Sequence, residues 1–263
     1  MKKYILASDY DGTLSQSGRV SKETVSAINR FRQMGNLFGV VTGRDYVHGF
    51  EVFKRDNVFP FDFIITSNGA VAYDKNGNVY FAETVNGGRS FGKSTLAQEL
   101  IKQILQTTAN PCGMSFKNKR YDFHPEYPLG AKVGDRQYSA FSVLEDVNEF
   151  VSSNAVCDTV EQAAEVTCML RDKFGHYANP LQNGMCIDIS PVGVDKATGI
   201  SRLADCLGIT REDIWTAGDN FNDMSMIEKF HGCAMAGGVE DLTKVSEYVC
   251  DSVEDVIKII LAK

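Results

Sequence analysis

The chain lacks any apolar run that approaches the length of a membrane span, and its mean hydropathy is −0.18. Met1-Lys2-Lys3 starts like a charged leader, but only four apolar residues follow before Ser8-Asp9, too few for a signal peptide. Basic charge is also scarce. Twenty-seven Lys and Arg stand against 34 Asp and Glu, for a formal net charge of −7 and a pI of about 5.2, so the electrostatic footprint of a nucleic-acid binder is missing. An acidic protein that handles an anionic substrate must bring local cations to it. No Cys-x-x-Cys pair occurs. The seven cysteines are scattered and odd in number, several among apolar neighbours as at Cys186 and Cys233, which argues against a zinc site or a disulfide framework. Reduced thiols in a cytoplasmic protein are the expectation. The four histidines (His48, His124, His176, His231) show no ligand spacing, and there is no repeat or low-complexity tract. No sequence feature assigns an oligomeric state.

What is present is a globular composition, 43% hydrophobic and 23% charged, in 263 residues. That length suits two domains, or one domain with a large insertion. Tyr4 to Ala7 is a continuous apolar run of the kind a buried parallel strand shows, and Ser8-Asp9-Tyr10-Asp11-Gly12-Thr13-Leu14 follows it directly. Val20 to Gly35 reads as a helix with Ser21 as cap, Leu37 to Val41 as a strand ending in Thr42-Gly43-Arg44, and Asp45 to Arg55 as a further helix. Phe63 to Thr66 is a third strand, ending in Ser67-Asn68-Gly69, and Val71–Tyr73 with Val79–Phe81 reads as a hairpin. Strand and helix alternating at this spacing predict a parallel sheet. From about Glu83 the alternation stops. Helical periods at Leu96 to Leu105 and Thr159 to Phe174 flank short mixed segments, an α+β stretch. Alternation resumes after Cys186–Ile189, with a helix stopped at Gly208, a strand Ile214–Ala217 ending in Gly218-Asp219-Asn220-Phe221-Asn222-Asp223, a helix Met224–Phe230, a strand Cys233–Met235 and a final amphipathic helix to Leu261. The expected architecture is an α/β, Rossmann-like parallel-sheet core (1–83 and 190–263) with an inserted α+β domain (84–189).

Four polar clusters stand where core strands end or a crossover helix begins: Asp9 with Asp11, Thr42 with Gly43, Lys196, and Asp219 with Asn222 and Asp223. Ligands bind beyond the carboxyl ends of strands in open α/β sheets. The parts suit phosphoryl transfer. One carboxylate can attack phosphorus and a second can move protons. A hard divalent cation, for which Mg²⁺ suits, can neutralise carboxylates and phosphate together, while a hydroxyl and an ammonium hold phosphate oxygens. Plainer readings stand beside these. The aspartates can be turn residues, Thr42 can cap the next helix, Lys196 can be a solvated lysine, and Asp223 can complement its own helix dipole.

The segments SDYDGTL, VTGR, GVDKATG and GDNFNDMSM, in this order and spacing, resemble the four motifs of the haloacid dehalogenase-like phosphohydrolases. The large insertion before DISPVGVDKATGI resembles the Cof-type subgroup with a type IIB cap. The resemblance implies a phosphatase acting on a small phosphorylated metabolite, sugar phosphates leading, with Mg²⁺ as cofactor. It implies Asp9 as nucleophile and metal ligand, Asp11 as general acid/base with its backbone carbonyl on the metal, and Asp219 as the remaining carboxylate ligand. Thr42, Gly43 and Lys196 match the phosphate binders, Asn222 and Asp223 the groups that orient the metal's waters and Lys196, and Arg44 and Asn68 the edge of the cleft. Two departures stand out. Ala236-Gly237-Gly238 replaces an Asn-Ala pair after Met235, and Val253-Glu254-Asp255-Val256 lacks a usual glycine.

A rival motif is also present. Gly87 to Ser94 satisfies G-x-x-x-x-G-K-[ST] and precedes a helix, which in a P-loop would make the chain a nucleotide-dependent kinase or ATPase. Thr95 with Gln98 instead offers that helix a capping box. A phosphomutase shares the first half-reaction, and a binding protein without turnover shares the fold; intact Asp9, Asp11 and Lys196 argue against the latter. The segment Lys117 to His124 mixes cations and aromatics, as a leaving-group contact or a solvated strand face.

Overall fold

The computed structural model describes residues 3–15, 18–56, 59–116 and 118–263; the Met1-Lys2 start and Lys117 lie outside them. The chain forms two compact units, one of Met1–Arg44, His48–Ala82 and Asp195–Lys263, the other of Asp45–Val47 and Glu83–Val194. The elements begin with β1 (Ile5–Ser8), α1 (Lys22–Gln33), β2 (Leu37–Val41), α2 (Val52–Asp56), β3 (Phe63–Thr66), β4 (Val71–Asp74) and β5 (Val79–Ala82). Next come β6 (Ser90–Phe91), β7 (Ser94–Thr95), α3 (Leu96–Thr108), β8 (Cys112–Phe116), β9 (Lys119–Phe123), β10 (Leu129–Val133) and β11 (Arg136–Ala140). After β12 (Ser152–Val156), α4 (Val160–Phe174), β13 (Ala178–Asn183) and β14 (Cys186–Pro191), the chain returns to the first unit. There it forms α5 (Lys196–Leu207), β15 (Ile214–Gly218), α6 (Met224–Lys229), β16 (His231–Met235), α7 (Glu240–Val245), β17 (Tyr248–Cys250) and α8 (Val253–Leu261). No helix among the described residues is long and apolar enough to cross a membrane.

The first unit is built on a sheet of order β17-β16-β15-β1-β2-β3-β4-β5. Its strands run parallel from β17 to β3, as the alternation predicts, and the β4–β5 hairpin extends it antiparallel. Ile5 and Ala7 share a core with Val41 and Ile65 and with Ile200, Leu203, Met226 and Leu242 of α5, α6 and α7. Between them Leu6 is equally buried and points to the opposite face, where α1 and α8 pack on each other and on the sheet. Being covered on both sides is what makes β1 to β3 read as unbroken apolar runs. Ser21 caps α1 as expected, accepting from the Thr24 N–H at 2.9 Å.

The helical stretch expected over Asp45 to Arg55 is present but starts at Val47 and is not a regular α-helix throughout. Val47–Glu51 forms a wide π-helical turn before α2. Phe50 meets Phe61 and Tyr73, and Phe53, three residues on and so on the same helical face, meets Tyr10 and Phe59.

The second unit has a sheet of order β13-β14-β12-β8-β9, antiparallel throughout. Cys112, Met114 and Phe116 of β8 point into a core shared with Leu100 and Ile104 of α3 and Val166 and Leu170 of α4. The Walker-like segment lies here. Phe91 and Ser94 pair across a hairpin turn at Gly92-Lys93, rather than forming a loop after a parallel strand. The first amides of α3 are already committed: Leu96 donates to the Arg89 carbonyl, Ala97 to the Gly87 carbonyl and Gln98 to Thr95 Oγ1. Thr95 and Gln98 form the predicted capping box. A phosphate cradle requires those amides to be open. Lys93→Ala is therefore expected to change phosphate-ester turnover by no more than about twofold. Calorimetric titration with Mg-ATP checks the rival: ATP binding that disappears on this substitution would restore the P-loop.

Candidate active site

Four adjacent parallel strands, β15, β1, β2 and β3, end side by side, and each hands its chain to a polar residue. Asp9 follows β1 and donates its N–H to the Ala217 carbonyl at 2.8 Å; Gly218-Asp219 closes β15 next to it. Thr42 follows β2, with its N–H on the Ile65 carbonyl at 2.9 Å. Asn68 follows β3 in a tight turn of left-handed residues, Ser67 and Asn68 both at φ 53°. Its N–H donates to the Thr42 carbonyl at 3.0 Å, and that of Ser67 to the Arg44 carbonyl at 2.8 Å, so the turn fixes the Thr42-Gly43-Arg44 segment from behind. The start of α5 is set against the same turn by two glycines. A Cβ on Gly69 would overlap the Asp195 carbonyl, and one on Gly199 would overlap Gly69 itself.

That contact delivers Lys196, the first residue of α5, into the interior. It is 0% exposed, so the reading of a solvated lysine is excluded. Its Nζ lies 2.5 Å from both Asp9 Oδ1 and Asp223 Oδ1. An ammonium at a helix start opposes the macrodipole and loses hydration, so two carboxylates are the compensation its position requires. Burial lowers the proton affinity of this amine, but Asp223 and Asp9 overcome it and hold the ammonium above its ordinary value. For Asp9, burial is the dominant influence and raises its carboxyl; Lys196 pulls it back, while Asp223 and Asp219 push it further up.

Asp9, Asp219 and Asp223 offer carboxylate oxygens within 4.8 Å of one another. Their environments divide them. Asp223 Oδ2 accepts from the N–H groups of Asp219 and Asn220, each at 3.0 Å, and its Oδ1 takes Lys196, so it braces the loop and orients the lysine instead of facing outward. Asp219 Oδ1 accepts from Thr13 Oγ1 at 2.6 Å. Among the described residues no donor reaches Asp9 Oδ2 or Asp219 Oδ2. Three carboxylates against one ammonium leave a surplus of negative charge that a divalent cation on Asp9 and Asp219 would neutralise, and oxygen donors of this kind suit Mg²⁺. The residues fit the ion.

Asp11 is placed differently. Its side chain is 59% exposed and is gripped by Arg44, with Nε on Oδ2 at 2.9 Å and Nη2 on Oδ1 at 2.7 Å. Its carboxylate therefore lies outside the acidic trio. Thr42 is buried, and its Oγ1 accepts from the Arg44 N–H at 3.1 Å; it does not cap a helix, because the next helical turn starts only at Val47. Asn222 Nδ2 lies 3.5 Å from Asn68 Oδ1. All ten residues named from the sequence fall in the first unit. Thr13 and Gly238 went unassigned in the sequence. Gly238 belongs to the Ala-Gly-Gly departure: its Cα faces the Asp219 backbone, where a Cβ would collide, and the Val239 N–H donates to the Asp219 carbonyl at 2.9 Å. A glycine just after a core strand and before a helix was the available signal.

Comparison with known proteins agrees on one family. The sequence model for haloacid dehalogenase-like hydrolases matches residues 6–260. The chain is similar to the 5-amino-6-(5-phospho-D-ribitylamino)uracil phosphatase YitU of Bacillus subtilis, 24% identical over 261 residues, covering 93% of this chain and 91% of that one. It is also similar to an HMP-PP phosphatase of Enterobacter sp., 26% identical over 233 residues, covering 85% of this chain and 80% of the relative. A haloacid dehalogenase-like hydrolase from Bacteroides thetaiotaomicron superposes with a TM-score of 0.78 at 19% identity, covering 98% of this chain and 100% of that one. The subclass IIB sugar phosphatase BT4131 gives a TM-score of 0.75 at 20% identity, covering 99% and 100%.

Two outcomes are expected from this geometry. Lys196→Ala leaves Asp9 and Asp223 buried against each other, and denaturant unfolding should report a loss of about 3–5 kcal/mol. A loss below about 1 kcal/mol, the range of exposed pairs, would contradict the burial. The second outcome concerns pH. Because Asp9 is raised above its unfolded value of 3.8, to about 7, the cation-free folded state gains protons relative to the unfolded chain and loses stability as pH rises through that interval. A cation that binds the ionised carboxylates offsets this loss. Mg²⁺ should therefore raise the melting temperature more at pH 7 than at pH 5, and a pH-independent increment, or one retained by Asp9→Asn, would remove Asp9 from the cation site.

Proposed function

The chain belongs to the haloacid dehalogenase-like hydrolase family, and from that premise we propose that it is a Mg²⁺-dependent phosphatase of small phosphorylated metabolites working through an aspartyl-phosphate on Asp9. The observation that carries this reading is the Asp9–Lys196–Asp223 cluster, which keeps one buried carboxylate beside an ammonium and next to the oxygen of Asp219.

In the first half-reaction the Asp9 carboxylate attacks phosphorus, the bond from phosphorus to the bridging oxygen breaks, and Asp11 gives its proton to that oxygen so that an alcohol leaves. In the second, Asp11 takes a proton from water as the water attacks the aspartyl-phosphate; inorganic phosphate leaves and Asp9 is restored. Thr42 Oγ1, the Gly43 N–H and Lys196 Nζ hold the non-bridging oxygens. Asp9, Asp219 and the Asp11 backbone carbonyl would hold Mg²⁺, which when bound would neutralise the charge that carboxylate and phosphate bring together. Asp223 keeps Lys196 aimed, and Asn222 and Asn68 line the edge. The inserted domain, 84–189 by the sequence, is read as the cap that selects the leaving group. A relative named for a phospho-ribityl compound and a structural neighbour named as a sugar phosphatase support sugar and polyol phosphates as the leading class, and a relative named for HMP-PP supports small phosphorylated metabolites more broadly. The seven free thiols support a cytoplasmic setting.

A panel of hexose, pentose and polyol phosphates, assayed for phosphate release with Mg²⁺ and with EDTA, tests the reading. Activity should vanish with EDTA and return with Mg²⁺. Asp9→Asn should lose at least about 10³-fold in turnover and show no acid-stable phosphoenzyme. Phosphate release that survives Asp9→Asn would refute the nucleophile.

A further inference from the structure

We propose that Arg44 is a positioning residue for Asp11, holding its carboxylate in the direction from which the proton reaches the departing oxygen. The inference rests on the reading of Asp11 as the general acid/base. Asp11 sits in an exposed turn beside Gly12, whose φ of 91° only glycine adopts readily, so neither helix nor strand restrains its side chain. A general acid must nevertheless stand within hydrogen-bond reach of the atom it protonates. The Arg44 fork engages both Asp11 oxygens, which fixes the plane of the carboxylate as well as its position.

Arg44 is itself held still. Its guanidinium carbon lies 4.9 Å from the ring centroid of Tyr10 and 5.6 Å from that of Phe53, both buried rings in contact with each other, with centroids 4.3 Å apart and planes tilted by 39°. Its Nη1 donates to the His48 carbonyl at 3.4 Å, and its backbone is pinned to Thr42 Oγ1 and the Ser67 N–H. The aromatic cluster thus becomes a platform from which a planar cation reaches across to an otherwise mobile acid. An exposed ion pair adds little to folding stability, so orientation accounts better for a fork this well anchored. A lysine at 44 keeps the charge but not the fork.

The test uses leaving-group dependence. An alkyl ester needs the Asp11 O–H proton on its bridging oxygen as the bond to phosphorus breaks, whereas a nitrophenolate departs without it. Arg44→Ala, Arg44→Lys, Asp11→Asn and the Arg44→Ala/Asp11→Asn double variant are compared on p-nitrophenyl phosphate and on the fastest alkyl phosphate of the metabolite panel, by the single-turnover rate at which the phenolate or alcohol is released, because the second half-reaction uses Asp11 alike for both esters. Arg44→Ala should slow this release from the alkyl ester by about 10–100-fold, within the roughly 10²–10⁴-fold contribution of a general acid that Asp11→Asn removes. On p-nitrophenyl phosphate it should stay within about threefold of wild type, which also reports correct folding, and Arg44→Lys should fall between the two. The double variant should be no worse than Asp11→Asn, because both changes remove one function. Equal losses on both esters, or losses that add in the double variant, would overturn the proposal and make Arg44 a direct phosphate ligand or a structural residue. Equal losses on both esters in Asp11→Asn, with Arg44 intact, would instead refute the general acid on which the proposal stands.

Discussion

An ammonium at the start of a helix, with no exposure to solvent, is the constraint on which the rest of this site depends. Lys196 opposes the dipole of α5 and has lost its hydration, and it is tolerable there only because Asp9 and Asp223 each lie 2.5 Å away. Meeting that requirement dictates the surrounding architecture. β1 and β15 must be neighbours so that Asp9 and the Asp219–Asp223 loop converge, and Gly69 and Gly199 must lack side chains so that α5 can approach. Asp223 must spend its second oxygen on the loop amides of Asp219 and Asn220. The two-carboxylate clamp then leaves negative charge in excess, which is the condition for holding a divalent cation.

Four aspartates with the same intrinsic chemistry are separated by their surroundings alone. Asp9 is buried beside a cation, Asp223 is saturated by donors, and Asp219 has one oxygen committed to Thr13. Asp11, two residues beyond Asp9, is exposed and paired with Arg44. Strand alternation would leave residues 9 and 11 on one side; β1 ends at Ser8, and the turn at Gly12 carries Asp11 away from the buried cluster. In the proposed mechanism this separation is useful, since the group that attacks and the group that moves protons need different environments.

The two units differ in how far the sequence anticipates them. In the first, burial on both faces of the sheet imposes uninterrupted apolar strands, and amphipathic helices between them reveal the alternation directly. β17, α7 and the π turn escape that reading because each is short and lacks a periodic pattern of its own. In the second unit the sheet is antiparallel with helices on one face, so its strands are half polar and leave only a mixed pattern between the strong periods of α3 and α4. The Gly87–Ser94 segment shows the same point in reverse. Its residue pattern matches a phosphate loop, but the hairpin and the capped start of α3 use the amides such a loop would present.

By itself the sequence determined which residues stand at the strand ends, because the apolar runs and the polar residues that end them are local features. It therefore predicted the parallel core and placed Asp9, Asp11, Thr42, Lys196, Asp219 and Asp223 at the strand ends and helix start of the candidate site. Only the tertiary structure decided how those residues are paired: Lys196 with Asp9 and Asp223, Asp219 with Thr13, and Asp11 with Arg44. The reason is physical. Thirty-three residues separate Asp11 from Arg44 and 187 separate Asp9 from Lys196, and contacts across such separations are set by strand order and close helix approach, which no local pattern encodes.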